Sequence, residues 1–176
     1  MILSSLNKFC HETIIRFTNN KSIVIDATCG NGNDTLYLAS QIKNGKIYSF
    51  DIQQEAIDKA KVKTSEYNNI NYIVDSHSNL DKYVVENIDF IIFNLGYLPH
   101  SDSSVSTKYE TTIEAIKKSL LLLNSSGCVY ITIYTKHDNH QEEHGILDYI
   151  NTLSKYEYNI LKYQFLNLDE APYSII

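Results

Sequence analysis

Glycine and proline are scarce: six and two among 176 residues, which leaves little room for long flexible linkers. No apolar run approaches the roughly 20 residues that a membrane helix needs. The first ten residues hold no basic region followed by a long apolar core, so no signal peptide is expected. The three cysteines, Cys10, Cys29 and Cys128, lack zinc-like spacing, and reduced thiols in a cytoplasm are the simple expectation. Basic residues are outnumbered, 15 against 21, for a net charge of -6. That balance argues against wholesale nucleic-acid binding, which usually shows a basic domain, and leaves room for a local basic patch. There is no internal repeat and no low-complexity segment. What remains, 43% hydrophobic and 20% charged, is ordinary for a soluble globular protein, and the length suits one domain over 1–176 with a single core.

The chain is organised around 24–36. A short apolar run over 23–25, within a first strand expected over 23–27, breaks at Gly30 and Gly32 and resumes at helical period with Leu36, Leu38, Ala39 and Ile42. Strand, tight turn and helix in that order form the first unit of a doubly wound sheet. Further strands are expected over 46–50, 70–74, 88–93, 128–134, 158–166 and 173–176. Helices are expected over 2–17, from 34 or 35 to about 43, and over 54–67, 80–84, 111–123 and 142–154. Residues 125–127 read as a turn and 100–106 as a polar loop. The alternation predicts an α/β fold: a seven-stranded, mostly parallel sheet with helices on both faces. Ligands of such sheets bind at the carboxyl ends of the strands, so each strand end is a candidate site.

The first strand ends in Asp26-x-Thr28-x-Gly30-x-Gly32. The glycines let the backbone adopt positive φ and pass close to a ligand. Asp26 can order the loop or receive a ligand's ammonium group. A nicotinamide fingerprint would carry a third glycine where this chain has Thr35, a poorer fit for a pyrophosphate. Asp51 closes the second strand, where an acidic side chain accepts both ribose hydroxyls of an adenosine or caps the next helix. Ser76 and His77 end the third strand, at a position that faces an adenine ring in this architecture. The fourth strand ends in Asn94-Leu95-Gly96-Tyr97. An amine attacking a methyl group needs acceptors for its N–H groups, and its carrier needs a flat surface. The Asn94 side-chain oxygen and the Leu95 carbonyl can be the acceptors, and Tyr97 the surface. Amino-methyltransferases place Asn/Asp-Pro-Pro-Tyr at this point for the same reasons. His137, His140 and His144 include a pair four apart that can share a helix face, but no H-E-x-x-H pattern exists and no metal is expected.

These blocks together resemble a known family. Asp26 to Leu36, Phe50-Asp51-Ile52-Gln53, Ser76-His77, and Phe93 to Pro99 with Thr111-Thr112-Ile113 are similar to the small S-adenosylmethionine (SAM)-dependent methyltransferases known as putative rRNA methylases. That family is associated with tRNA 5-(aminomethyl)-2-thiouridine methyltransferase activity. The resemblance covers nearly the whole chain. It implies a Rossmann-like class I methyltransferase fold, a homodimer, and a target in the anticodon loop, the wobble uridine of certain tRNAs. SAM would be held by Asp26, Thr28, Gly30, Asn31, Gly32, Asn33, Asp34, Thr35, Asp51, Ile52, Gln53, Ser76, His77 and Asn94. Asn94, Leu95 and Tyr97 would serve the incoming amine. Two loops depart from the family pattern. His100-Ser101-Asp102 stands for Gly-Gly-Asp, and Tyr134-Thr135-Lys136-His137 for Tyr-Pro-Gly-His. Both departures bear on the exact substrate rather than on SAM binding. Asp102 and His137 are candidates for a general base, and Lys108, Lys117, Lys118 and Lys136 for phosphate contacts. A small-molecule amine or rRNA is the alternative substrate. A nicotinamide oxidoreductase and a non-catalytic nucleotide-binding module are the remaining alternatives.

Overall fold

In the computed structural model, which describes residues 5–96, 107–134 and 140–176, seven strands form one sheet in the order β3-β2-β1-β4-β5-β7-β6. These are β1 (Ile23–Asp26), β2 (Lys46–Asp51), β3 (Ile70–Val74), β4 (Ile88–Asn94), β5 (Leu123–Ile133), β6 (Lys162–Tyr163) and β7 (Tyr173–Ile175). The first five run parallel, and β7 lies antiparallel to both β5 and β6. The chain reverses direction in the sheet between β1 and β4, which places the carboxyl ends of β1, β2 and β4 side by side.

Apolar residues fill both faces of the central strands, as parallel strands require. On β4, Phe90 and Ile92 join Val24, Ile47 and Tyr130 in one layer, with Ile14 of α1 (Leu6–Phe17) and Leu38 of α2 (Asn33–Gln41). Ile91 and Phe93 join Ile25, Phe50 and Ile131 in the other layer. That layer is closed by Ile113 and Ile116 of α4 (Tyr109–Leu122) and Ile146 of α5 (Gln141–Ile150). α3 (Gln54–Lys63) packs Ile57 and Ala60 against Cys29. Among the described residues, no helix is long and apolar enough to cross a membrane.

Several boundaries move for identifiable reasons. α1 starts at Leu6, because the Ser5 hydroxyl accepts the Lys8 N–H and caps it there. α3 stops at Lys63, and a turn closed by the Tyr67 N–H on the Thr64 carbonyl follows. The short helix is a 3-10 helix at His77–Lys82, begun early by the Ser76 cap. β5 begins at Leu123, so the expected turn at 125–127 is instead an irregularity inside a strand. Its register jumps from Ile88↔Leu123 to Phe90↔Cys128. Asp89 anchors that stretch, accepting from Asn124 Nδ2 at 2.6 Å and from the Ile23 N–H at 3.0 Å, and so ties β4 to both neighbours. The strand expected over 158–166 shrinks to Lys162–Tyr163, because turns at Ser154 occupy the chain before it.

Candidate active site

The loop after β1 is built on Asp26. Its carboxylate, 1% exposed, accepts from the Thr35 hydroxyl at 2.6 Å and the Thr28 N–H at 3.3 Å. Of the two roles open to Asp26, loop ordering is the one its contacts serve. The Thr35 hydroxyl also meets Ser49 Oγ at 3.0 Å and Cys29 Sγ at 3.4 Å, which explains a threonine where a nicotinamide site has glycine. Gly30 and Gly32 adopt φ of 51° and 73°. At Gly32 a Cβ would also fall 2.7 Å from that of Ala60, so the close packing of α2 on α3 depends on this glycine. Burial, with the neighbouring Asp34 charge added, pushes the Asp26 pKa up to about 7.

Asp51, half-buried at the end of β2, accepts the Gly30 N–H at 2.8 Å and the Gln53 N–H at 2.9 Å. Burial raises its pKa, and these two donors together with the Ile52 N–H oppose the rise. A carboxylate has about four lone-pair sites, more than these bonds use. Ile52 beside it is 55% exposed. Asn33 at the start of α2 accepts from Lys63 Nζ at 2.6 Å, and α2 has no side-chain cap. The Ser76 hydroxyl is used as the cap of the 3-10 helix. His77 is buried edge-on to Phe93 and pairs through Nδ1 with the Ala27 carbonyl at 3.3 Å, and burial lowers its pKa to about 4.

Thr28 connects this loop to β4, because its hydroxyl accepts the Asn94 main-chain N–H at 2.7 Å. The Asn94 side chain donates through Nδ2 to Asp34 at 2.5 Å. Burial raises the Asp34 pKa, against His11 and the Asn94 amide. Leu95 is buried and its N–H closes the ladder on the Thr132 carbonyl at 3.1 Å. Gly96 follows at φ 139°, within reach of the half-exposed Tyr134 ring. Tyr97, Asp102, Lys136 and His137, with the departures His100, Ser101 and Thr135, lie outside the described residues.

Other expected contacts are engaged elsewhere. Lys118 bridges Asp81 and Glu114, each at 2.9 Å, and donates to the Ser78 carbonyl, so it fastens α4 to the 3-10 helix. Lys117 lies over the Tyr149 ring, while Lys108 is exposed at the start of α4. His140 stacks on His144 and pairs with Glu143, and among the described residues no cluster could hold a metal ion. One arrangement has no sequence signal beyond Thr112 in a family-like block. Glu142, 1% exposed, accepts the hydroxyls of Thr107 (at 2.8 Å) and Thr112.

The donor set fits SAM: a positive-φ glycine loop, an uncapped helix start, a carboxylate with spare lone pairs and an exposed apolar side chain beside it. The profile of the family "Putative rRNA methylase" matches residues 47–176. A putative rRNA-methylase from Clostridium thermocellum has a TM-score of 0.95 and 34% identity, over 99% of this chain and 97% of that one. A putative methyltransferase from Streptococcus mutans, solved with S-adenosylhomocysteine, has a TM-score of 0.91 and 36% identity over the same shares. The Arabidopsis thaliana protein named tRNA (mnm(5)s(2)U34)-methyltransferase, chloroplastic, is 32% identical over 85% of this chain, which spans 60% of that protein's length. By sequence and fold, then, the chain belongs to the Putative rRNA methylase family, with the Rossmann-like class I SAM-dependent methyltransferase fold and SAM as its cofactor.

Proposed function

We propose that the protein is a SAM-dependent RNA N-methyltransferase whose substrate is the aminomethyl nitrogen of 5-aminomethyl-2-thiouridine at the tRNA wobble position. The observation that carries this reading is the fixed orientation of Asn94. A carboxylate only accepts hydrogen bonds at neutral pH, so Asp34 takes the Nδ2 side of the amide and leaves Oδ1 as the outward acceptor. An acceptor at the reacting edge suits a nucleophile that carries N–H groups. The name of the Arabidopsis relative supports the same chemistry.

Bound SAM supplies a methyl group already activated on a sulfonium. The protein's task is therefore mainly proximity and orientation. Asn94 Oδ1 and the Leu95 carbonyl accept the amine's two N–H groups and aim its lone pair. The N–C bond forms as the C–S bond breaks, and its electron pair stays on sulfur. The ammonium so formed then loses a proton to water. Gly30 to Asp34 would hold the methionine end, with the bare N–H groups of the α2 start facing its carboxylate. Asp51 would take the ribose hydroxyls. With Ser76 engaged as a cap and His77 buried, Ile52 is the side chain of the expected set with apolar surface for the adenine. Tyr97 would pack on the nucleobase. We place the enzyme in a cytoplasm on its three free thiols, and as a homodimer on the family resemblance.

Mass spectrometry of nucleosides tests the substrate. Incubation with SAM and tRNA carrying the aminomethyl-thiouridine adds one methyl to that nucleoside; no gain, with SAM binding intact, refutes the tRNA reading. Asn94→Ala should lower methyl transfer roughly 100-fold, the scale of a positioned hydrogen-bonding group, and weaken SAM affinity by far less. An equal loss of SAM affinity would leave Asn94 a cofactor contact alone and refute its role as acceptor for the amine. A small-molecule amine is the second reading. The net charge of -6 and the engagement of Lys117 and Lys118 favour it, and methylation of a free alkylamine in the same assay would reveal it.

A further inference from the structure

Asn94 and Leu95 supply the two acceptors in the proposed reaction, and the structure explains what fixes the first. The second is a main-chain carbonyl at the point where the chain leaves the sheet. Its direction is set by the peptide unit it belongs to. The Leu95 C=O and the Gly96 N–H share one plane, and across a trans peptide they point in opposite directions. Whatever holds the Gly96 N–H therefore aims the Leu95 carbonyl.

The Gly96 N–H donates to the Thr107 hydroxyl at 2.9 Å. That hydroxyl has one proton, and it donates it to Glu142 Oε2 at 2.8 Å. The Thr107 N–H closes the ring by donating to the Gly96 carbonyl at 2.9 Å. The other oxygen of Glu142 accepts from Thr112 of α4. Glu142 is itself fixed in the first turn of α5 and is 1% exposed. Without this tie Gly96, at φ 139°, would be among the freest backbone positions of the site.

We propose that Glu142, acting through Thr107, is a positioning residue that orients and polarises the Leu95 carbonyl toward the incoming amine; this rests on the N-methyltransferase reading. A carboxylate at the end of a hydrogen-bond chain strengthens each bond along it. The Thr107 oxygen becomes a better acceptor, the Gly96 N–H is drawn out, and its carbonyl gains negative charge. That charge faces the nitrogen on which positive charge develops as the methyl arrives.

The test uses the full chain with SAM and aminomethyl-thiouridine tRNA. Thr107→Val removes both side-chain bonds; Thr107→Ser keeps them. We expect Thr107→Val to lower kcat roughly 10- to 100-fold, as a small misplacement of a reacting group does, with SAM affinity and KM little changed. Thr107→Ser should return to within about threefold. Glu142→Gln, which keeps shape but removes the charge, should fall between them. If Thr107→Val does not fold, Thr107→Ser and Glu142→Gln carry the comparison. In parallel, the Gly96 amide is followed by NMR in the resting protein. It should exchange faster in Thr107→Val and shift in Glu142→Gln. An unaltered Gly96 amide overturns the proposal whatever the activity, and so does an altered amide with wild-type kcat in every variant. An altered amide in a protein whose wild type methylates no such tRNA supports the orientation and refutes the substrate reading instead.

Discussion

At the scale of single residues, Asp26 sets the conditions under which the loop works. Its folded pKa of about 7 lies above the ordinary carboxylate value of 3.8. Between those pH values the folded chain holds a proton that the unfolded chain has released. Its contribution to stability is therefore full below about pH 4 and is lost as the pH rises through about 7. Asp26→Asn should flatten that slope, raising the Tm of the ligand-free protein at pH 8 relative to wild type but not at pH 4, as read by calorimetric scans. The same titration acts on the cofactor. SAM carries a net positive charge, so ionising Asp26 should tighten its binding as pH rises through neutrality. Titration calorimetry at pH 6 and pH 8 checks this, and equal affinities would refute it. Two roles for Asp26 were legible in the sequence, but not the choice between them. That choice rests on a hydroxyl nine positions on folding back onto it.

At the scale of elements, two glycines govern how helices meet. Gly32→Ala brings both a strained φ and a Cβ 2.7 Å from Ala60, so α2 must shift away from α3. A loss of about 2 kcal/mol or more is expected, read by urea denaturation. Because α2 carries Asp34, SAM affinity should fall in the same variant. Gly145 is crowded differently: a Cβ there would strike the ring of Tyr109, the first residue of α4, so the alanine variant must turn that ring away. That ring lies two residues from Thr107, and Gly145→Ala should lower methyl transfer more than it lowers Tm. The elements themselves were legible where apolar period was long and uninterrupted, as in β2, β3 and β4. They were illegible where a distant strand decided the matter. Ser125, Ser126 and Gly127 have turn chemistry, yet Asp89 on β4 holds the stretch in the sheet. Glu142 looked like any acidic residue opening a helix, because nothing local announces that two threonines from another segment will bury it.

At the scale of the whole molecule, the charge of -6 constrains how RNA could be held. Among the described candidates, Lys118 is spent on ion pairs and Lys117 on a ring, leaving Lys108 exposed at the start of α4. A grip through few phosphates has a shallow salt dependence. The logarithm of affinity for an anticodon stem-loop should fall with log salt at a slope no steeper than about -3, roughly four contacts on a single strand. A slope near that of a basic RNA-binding domain would place the contacts on surface the ion pairs do not reach. The parallel half of the sheet was legible from strand–helix alternation, but the place of β7 was not, since three residues carry no sign of their neighbours. Its position has a consequence in time. β7 lies between β5 and β6, although β6 precedes it in the chain. On the ribosome, β6 therefore emerges with no strand to pair with, and β5 keeps an open edge until residues 173–175 arrive. Until then two of the seven strands lack their place and the edge of β5 stands open, the interval in which a chaperone would have most to shield.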